Sequence, residues 1–179
     1  MPDAARWPLV NSRPGPSYRV FSIRTDTARS PRTGREHDFY ILESADWVNV
    51  IPLRSDGQVV MVRQYRHGIR EITLELPGGL VNPGDTPLEA ARRELLEETG
   101  YQAEEITLLG AAHPQPAILA NRHHTFLATN VWKTAALNLD EGEDVQVVLL
   151  PLSEVQRRIA SGEIANGMVI LAFYWYFCR

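Results

Sequence analysis

Apolar and polar positions follow two rhythms along the chain, and each predicts a different element. Strict alternation marks Tyr18-Arg19-Val20-Phe21-Ser22-Ile23 and Asp38-Phe39-Tyr40-Ile41-Leu42, with Pro31-Arg32-Thr33-Gly34 between them as a turn. Residues 18–44 therefore read as a small antiparallel sheet of two or three strands. Residues 1–16 hold Pro2, Pro8, Pro14 and Pro16 and read as an irregular arm. Further on, Trp47–Leu53, Gln58–Gln64 and Glu71–Leu76 read as strands, the first two joined through Ser55-Asp56-Gly57. Strands are also expected over Ile106–Ala112, His124–Trp132 and Val145–Leu150.

Helical spacing takes over at three places. The first helix follows Thr86, a suitable N-cap, with Pro87 at the first helical position and Glu89 completing a capping box. Gly100 can take the left-handed conformation that ends it. Leu88, Ala91 and Leu95 share a sector that can face a core. Two more helices are expected near Ser153–Ala160 and Asn166–Phe177, with Ser153 and Asn166 as N-caps and Gly162 closing the first of the two. Helices and strands do not alternate regularly, which disfavours a doubly wound parallel sheet and predicts an α+β class.

At 179 residues the chain can bury one substantial core, and 44% hydrophobic residues exclude a disordered segment. A net charge of −4 argues against a nucleic-acid grip carried by bulk charge. It also means that a phosphorylated substrate would need cations to mediate the contact. The single cysteine, Cys178, allows no internal disulfide, which suits a cytoplasmic protein. The start, Met1 to Trp7, has no apolar run of the signal-peptide kind. The longest apolar stretch, Met168 to Cys178, falls short of the roughly 20 residues a bilayer requires, so it reads as a buried helix with no membrane role.

The chemistry concentrates on the first helix. Glu94, Glu97 and Glu98 are spaced i, i+3 and i+4 and fall within about 100° of one another. Three like charges on one face repel, and a bland acidic surface with an Arg93–Glu97 pair would account for them alone. A hard divalent cation turns the same repulsion into a binding site, since carboxylate oxygens suit magnesium or manganese. Gly78 and Gly79 precede a loop of fixed length, and a glycine-turn carbonyl can add a further ligand.

The segment from Gly79 to Tyr101 resembles the signature box of the Nudix hydrolases. The match falls on Gly79, Arg93, Glu94, Leu95, Glu97, Glu98 and Gly100. It departs at Asp85, where the family usually has Glu, and at Tyr101, where it usually has an aliphatic residue. The resemblance implies an α/β/α sandwich with a mixed β-sheet and the box as loop–helix–loop. It implies Mg²⁺ (or Mn²⁺) held by Glu94, Glu97, Glu98 and the Gly78 carbonyl, with Arg93 in the catalytic set.

Other segments are similar to ADP-ribose and ADP-sugar pyrophosphatases. These are Val62-Arg63-Gln64-Tyr65-Arg66, Leu74 to Gly79, and Pro116, fifteen residues beyond Tyr101. That likeness implies an N-terminal antiparallel β extension (residues 1–44) serving dimerisation and the substrate site, followed by a hydrolase domain over residues 45–179. Arg66 and Arg63 are candidates for holding diphosphate oxygens, but their spacing on a regular strand keeps both from one site. Arg66 is favoured, because the matching arginine of the resembling enzymes touches substrate. Glu75 is expected in a structural pairing, with Arg93 as one candidate partner. His123 and His124 are adjacent on a strand and point opposite ways, which argues for packing plus a surface group and against a metal site.

The acidic turn Asp140-Glu141-Gly142-Glu143-Asp144 is by itself a solvated loop. In the resembling pyrophosphatases a glutamate on this loop is the catalytic base or an added metal ligand. Glu141 is taken first and Glu143 second. The expectation is a pyrophosphatase cutting ADP-ribose or a related nucleoside-diphosphate sugar. Its rivals are hydrolysis of another nucleotide, such as a dinucleoside polyphosphate or an oxidised nucleoside triphosphate, and a non-catalytic nucleotide sensor. Because a small β extension cannot bury its own apolar face, a homodimer is expected, as in the resembling subfamily.

Overall fold

A computed structural model describes residues 4–179, so Pro2 and the first residues of the expected arm lie outside them. The chain divides into two units. The first comprises the residues up to Ala45 together with His113–Arg122, and the second comprises Asp46–Ala112 and His123–Arg179.

In the first unit, β1 (Leu9–Ser17), β2 (Ser22–Arg29) and β3 (Glu36–Glu43) form an antiparallel sheet in the order β1-β2-β3. The arm expected to be irregular is therefore a strand from residue 9 onward. Its prolines are tolerated because β1 is an edge strand and its register shifts between Pro14 and Ser17, where the missing N–H groups leave no regular ladder broken. The strand expected at Tyr18–Ile23 starts later, because the Tyr18 N–H turns back to the Phe21 carbonyl at 2.8 Å. The turn at Pro31–Gly34 stands: the Gly34 N–H donates to the Ser30 carbonyl at 2.8 Å, and Gly34 has φ 70°. The later segment joins through Leu42, which donates to Ile118 O and accepts from Ala120 N–H.

In the second unit, β4 (Trp47–Leu53), β5 (Gln58–Arg66), β6 (Glu71–Glu75), β8 (Glu105–Ala112), β9 (His123–Thr129) and β11 (Val145–Pro151) form one mixed sheet. The order is β11-β5-β4-β9-β8, with β6 pairing the later part of β5. Only β4 and β9 run parallel. The strand expected to reach Trp132 ends at Thr129, because Asn130 takes a left-handed conformation (φ 50°), which asparagine tolerates. The chain then leaves the sheet as β10 (Trp132–Lys133), which pairs with β7 (Tyr101–Gln102).

Both faces of this sheet are covered, and alternate residues of the strands sort to opposite sides. Val48, Val50 and Val60 pack with Ala90, Ala91 and Leu95 of α1 (Pro87–Thr99). Ile51, Val59 and Met61 pack with Val155 of α2 (Leu152–Ala160) and with Val169, Ala172 and Phe173 of α3 (Gly167–Phe177). Helices on the two faces of a mixed sheet make the α/β/α sandwich, with antiparallel strands ahead of it.

The local signals on α1 are realised. Thr86 Oγ1 accepts from Glu89 N–H, Glu89 Oε2 accepts from Thr86 N–H at 2.7 Å, and Gly100 has φ 73°. Leu88 is half-exposed and Ala90 takes its expected place in the core. On α2 the cap residue is Pro151, with no side-chain cap bond, so Ser153 is not the N-cap; α2 starts one residue earlier, directly from the end of β11. Asn166 does cap α3, accepting from Met168 N–H at 2.9 Å. That helix is not buried all round, since Tyr174 is exposed.

Candidate active site

The loop before α1 brings the glycine turn against the helix. Pro77 and Gly79 carbonyls accept from Val50 and Val48 N–H of β4, while no backbone N–H among the described residues donates to the Gly78 carbonyl. A Cβ on Gly78 would collide with the Val48 carbonyl, and one on Gly79 with the Glu94 carboxylate. Both glycines are therefore required by close approach. The Gly78 N–H donates to Glu98 Oε2 at 2.9 Å.

Glu94 and Glu98 lie on the inner side of α1 at 7% and 3% exposure. Burial pushes Glu98 up to about 8; the charges of Glu94 and Glu143 add to this, against the Gly78 N–H and Arg66. Burial likewise raises Glu94, against its contact with Arg93. Two buried carboxylates that resist ionisation are a donor set in want of a cation. With the uncommitted Gly78 carbonyl they form an all-oxygen set that fits magnesium.

Glu97 behaves differently. Arg93 Nη1 donates to Glu94 Oε1 at 2.8 Å and to Glu97 Oε2 at 3.1 Å, while its Nη2 donates to the Leu80 carbonyl at 2.9 Å. Among the described residues no three acidic, histidine or cysteine side chains converge into a ready cluster, so the three box glutamates are not drawn to one point. Arg93 ties Glu94 to Glu97, while Glu98 is held by the Gly78 N–H. Asp85 approaches Arg93 Nε to only 3.7 Å, and that nitrogen is buried without a hydrogen-bond partner. The shorter side chain at this box position leaves the gap.

A cavity of about 390 Å³ opens beside the glycine turn. Its walls include Trp47, Val48, Asn49, Leu76, Leu80, His123, Met168 and Val169, with Arg66 and Glu75. Glu75 pairs with Arg66, not Arg93: Arg66 Nε and Nη2 donate to Glu75 Oε1 and Oε2 at 2.9 and 2.7 Å. Thr73 Oγ1 and Asn166 Nδ2 also donate to Glu75, at 2.6 and 2.8 Å. Burial alone would raise Glu75, but these bonds outweigh it and hold the carboxyl below its ordinary value. Glu75 leaves Arg66 Nη1 unengaged.

The remaining candidates separate. Arg63 is exposed, 3.8 Å from Glu163 and outside the cavity lining, so the structure does not bring it to Arg66. Pro116 belongs to the first unit, in a turn closed by Leu119 N–H on the Gln115 carbonyl at 2.8 Å. On the acidic loop, Glu143 stands close enough for its charge to raise Glu94, Glu98 and Arg66, after burial and nearer partners have acted. Glu141 is not among the leading influences on those groups. Among the described residues no helix is long and apolar enough to cross a membrane.

A sequence model of the NUDIX domain matches residues 44–168. The chain belongs to the Nudix family. A methanol dehydrogenase activator of Bacillus methanolicus is 31% identical over 157 residues, covering 87% of this chain and 84% of that protein. An ADP-ribose pyrophosphatase of Bacillus subtilis (strain 168) is 28% identical over 160 residues, covering 89% and 86%. A crystal structure of an ADP compounds hydrolase superposes with a TM-score of 0.85 at 20% identity, covering 98% of this chain and 95% of that one, which establishes the same fold.

The box departs from the family pattern at Asp85 and Tyr101, and the structure accommodates the second. Tyr101 is buried like the aliphatic residue it replaces, and its hydroxyl accepts from Arg54 Nη1 at 3.1 Å. Sequence reasoning missed Asn49. It accepts from Thr125 Oγ1 at 2.7 Å and donates to the Met168 carbonyl at 3.3 Å, which fixes the start of α3 beside the cavity. One polar residue inside the apolar run Val48–Leu53 was the available signal.

Proposed function

We propose that this Nudix hydrolase is a magnesium-dependent pyrophosphatase of ADP-ribose or a related nucleoside-diphosphate sugar, releasing a nucleoside monophosphate and a sugar phosphate. The observation that carries it is the adjacency of two buried, hard-to-ionise carboxylates to a largely apolar cavity of about 390 Å³, across a glycine turn. Such a cavity has room for a sugar or base but presents little charge for phosphate. The likeness to an ADP-ribose pyrophosphatase supports the same substrate class.

Glu98, the Gly78 carbonyl and Glu94 would hold the cation, with Glu97 joining them; Glu94 and Glu97 would both turn from Arg93 to do so. When bound, the metal shields diphosphate charge and lowers the pKa of a coordinated water. Arg66, steadied by Glu75, offers Nη1 to a diphosphate oxygen. Glu143 receives the proton of the attacking water, whose oxygen bonds to phosphorus as the bridging P–O bond breaks. A panel of nucleotide sugars, dinucleoside polyphosphates and nucleoside triphosphates, with products resolved chromatographically, is the test. Hydrolysis of nucleotide sugars should need magnesium or manganese and stop with a chelator. Turnover confined to the other classes, or undiminished by chelation, sinks the reading.

The same reading includes a homodimer formed through the first unit. Leu9, Val10, Tyr18, Val20, Phe39 and Tyr40 are exposed on or beside its three strands, more apolar surface than a small sheet leaves in water without a partner. Light scattering at micromolar concentration should give about twice the 20.2 kDa chain mass. A monomeric mass would count against it.

A further inference from the structure

Glu75 is buried, and its carboxylate receives two hydrogen bonds on each oxygen. Oε1 accepts from Arg66 Nε and Thr73 Oγ1, and Oε2 accepts from Arg66 Nη2 and Asn166 Nδ2. A carboxylate presents about four lone-pair sites, so each donor fills one of them. Thr73 stands two residues away on β6, and Arg66 lies across the β5–β6 hairpin. Asn166 is 91 residues distant in sequence. Among the described residues it is the one side chain outside that hairpin that donates to Glu75.

Both ends of the Asn166 amide are committed. Oδ1 accepts from the Met168 N–H at 2.9 Å as the cap of α3, and Nδ2 donates to Glu75 Oε2 at 2.8 Å. Turned over, the amide would set oxygen against carboxylate and NH₂ against N–H, so its two neighbours fix its orientation. The backbone leading to it is held as well: Ile164 is fully buried, and its N–H donates to the Arg158 carbonyl at 3.1 Å. Arg66, by contrast, ends β5 with a side chain 43% exposed. A long side chain so placed keeps its rotamer freedom unless a fixed partner holds it. Glu75 is that partner, and Asn166 ties Glu75 to the helix whose Met168 and Val169 line the cavity.

We propose that Asn166 is a positioning residue for substrate binding: its amide fixes the Glu75 carboxylate against the start of α3 and so aims the Arg66 guanidinium at the diphosphate. It acts through Glu75 and Arg66 and needs no contact with substrate of its own. The assignment rests on the role given to Arg66 above. A serine in its place would start α3 well, but it would leave Glu75 Oε2 one donor short. The cap and the positioning role can therefore be separated.

The test is steady-state kinetics of the whole chain on ADP-ribose with magnesium, with Tm measured alongside. Asn166→Ser keeps a cap oxygen and loses the amide, and Asn166→Ala loses both. KM should rise about three- to tenfold in the two variants alike, the scale of one hydrogen bond, with kcat within about twofold. The loss falls on KM because an arginine that holds diphosphate in ground and transition states alike contributes uniform binding. Tm should fall further in Asn166→Ala than in Asn166→Ser. Arg66→Ala is the reference and should raise KM at least as far. Added to Arg66→Ala, Asn166→Ser should change KM by no more than about twofold, since the residue it acts through is gone. A merely structural role would give a penalty that multiplies fully with that of Arg66→Ala, or a KM that follows Tm across the two Asn166 variants. Either result overturns the inference, as does a loss confined to kcat. If Arg66→Ala leaves KM as it was, or the wild type hydrolyses no ADP-ribose, the reading of Arg66 falls and takes this inference with it. A raised KM in Arg66→Ala beside an unchanged one in Asn166→Ser overturns the inference alone.

Discussion

Glu98→Gln should reduce magnesium-dependent hydrolysis on the order of 10³-fold, the scale of several kcal/mol of metal-borne stabilisation lost with its ligand. The fold should survive. Gln keeps the length of Glu98, and its carbonyl oxygen can still accept from the Gly78 N–H, which the native carboxylate meets at 2.9 Å. The metal-free protein should moreover become less sensitive to pH. Folded Glu98 keeps its proton up to about 8, whereas an unfolded glutamate releases it near 4.5. Between these values the folded state binds the extra proton. The stability this group contributes is therefore full below 4.5 and is lost as pH rises through about 8. Glu94 is raised by burial too and acts in the same direction. Melting curves in chelator at pH 5 and pH 8 should show a drop for the wild type and a smaller drop for Glu98→Gln. Magnesium should raise the wild-type Tm at pH 8 and leave the variant nearly unmoved. Full activity in the variant, or an identical pH dependence, would remove Glu98 from the metal site.

The parts legible in the sequence were those set by neighbours along the chain. Thr86, Pro87, Glu89 and Gly100 fix the ends of α1 within one turn of themselves, and the structure reproduces each role. β4 matches its apolar run from Trp47 to Leu53. Partners distant in sequence were harder to read. β1 looked irregular because its prolines forbid a central strand, and nothing local says that it pairs on one side only. Glu97 shares a helix face with Glu94 and Glu98, yet whether it turns toward them or toward Arg93 is settled by the Leu80 carbonyl, which anchors Arg93 from outside the helix. Glu75 could be expected to pair, but its partner Arg66 stands four positions along β5 from Val62, the residue directly opposite Glu75, so the strand pattern alone does not name it.

Glu143→Gln is expected to slow turnover by about 10²- to 10⁴-fold, the range for a positioned general base, and toward the low end because a metal-bound water is already acidified. Glu143 is held in its turn by two contacts with Asp140: its N–H donates to the Asp140 carbonyl at 2.9 Å, and its Oε2 accepts from the Asp140 N–H at 3.2 Å. Gln can keep both, so the loop should not change shape. Glu141→Gln is the control and should leave kcat near wild type, since Glu143 and not Glu141 is among the leading influences on Glu94, Glu98 and Arg66. Magnesium affinity separates the two roles open to Glu143. As a base it contributes only repulsion to the box carboxylates, raising Glu94 and Glu98 behind the larger effect of burial. Its neutralisation then lets both ionise more readily, and magnesium binds as well or slightly better while kcat falls. As a metal ligand it would lose magnesium affinity together with kcat, and excess magnesium would restore part of the rate. A fall in kcat with weakened magnesium binding therefore moves Glu143 from proton transfer to coordination. If Glu141→Gln instead cripples turnover while Glu143→Gln does not, the loop must close over substrate in a way that exchanges the two side chains.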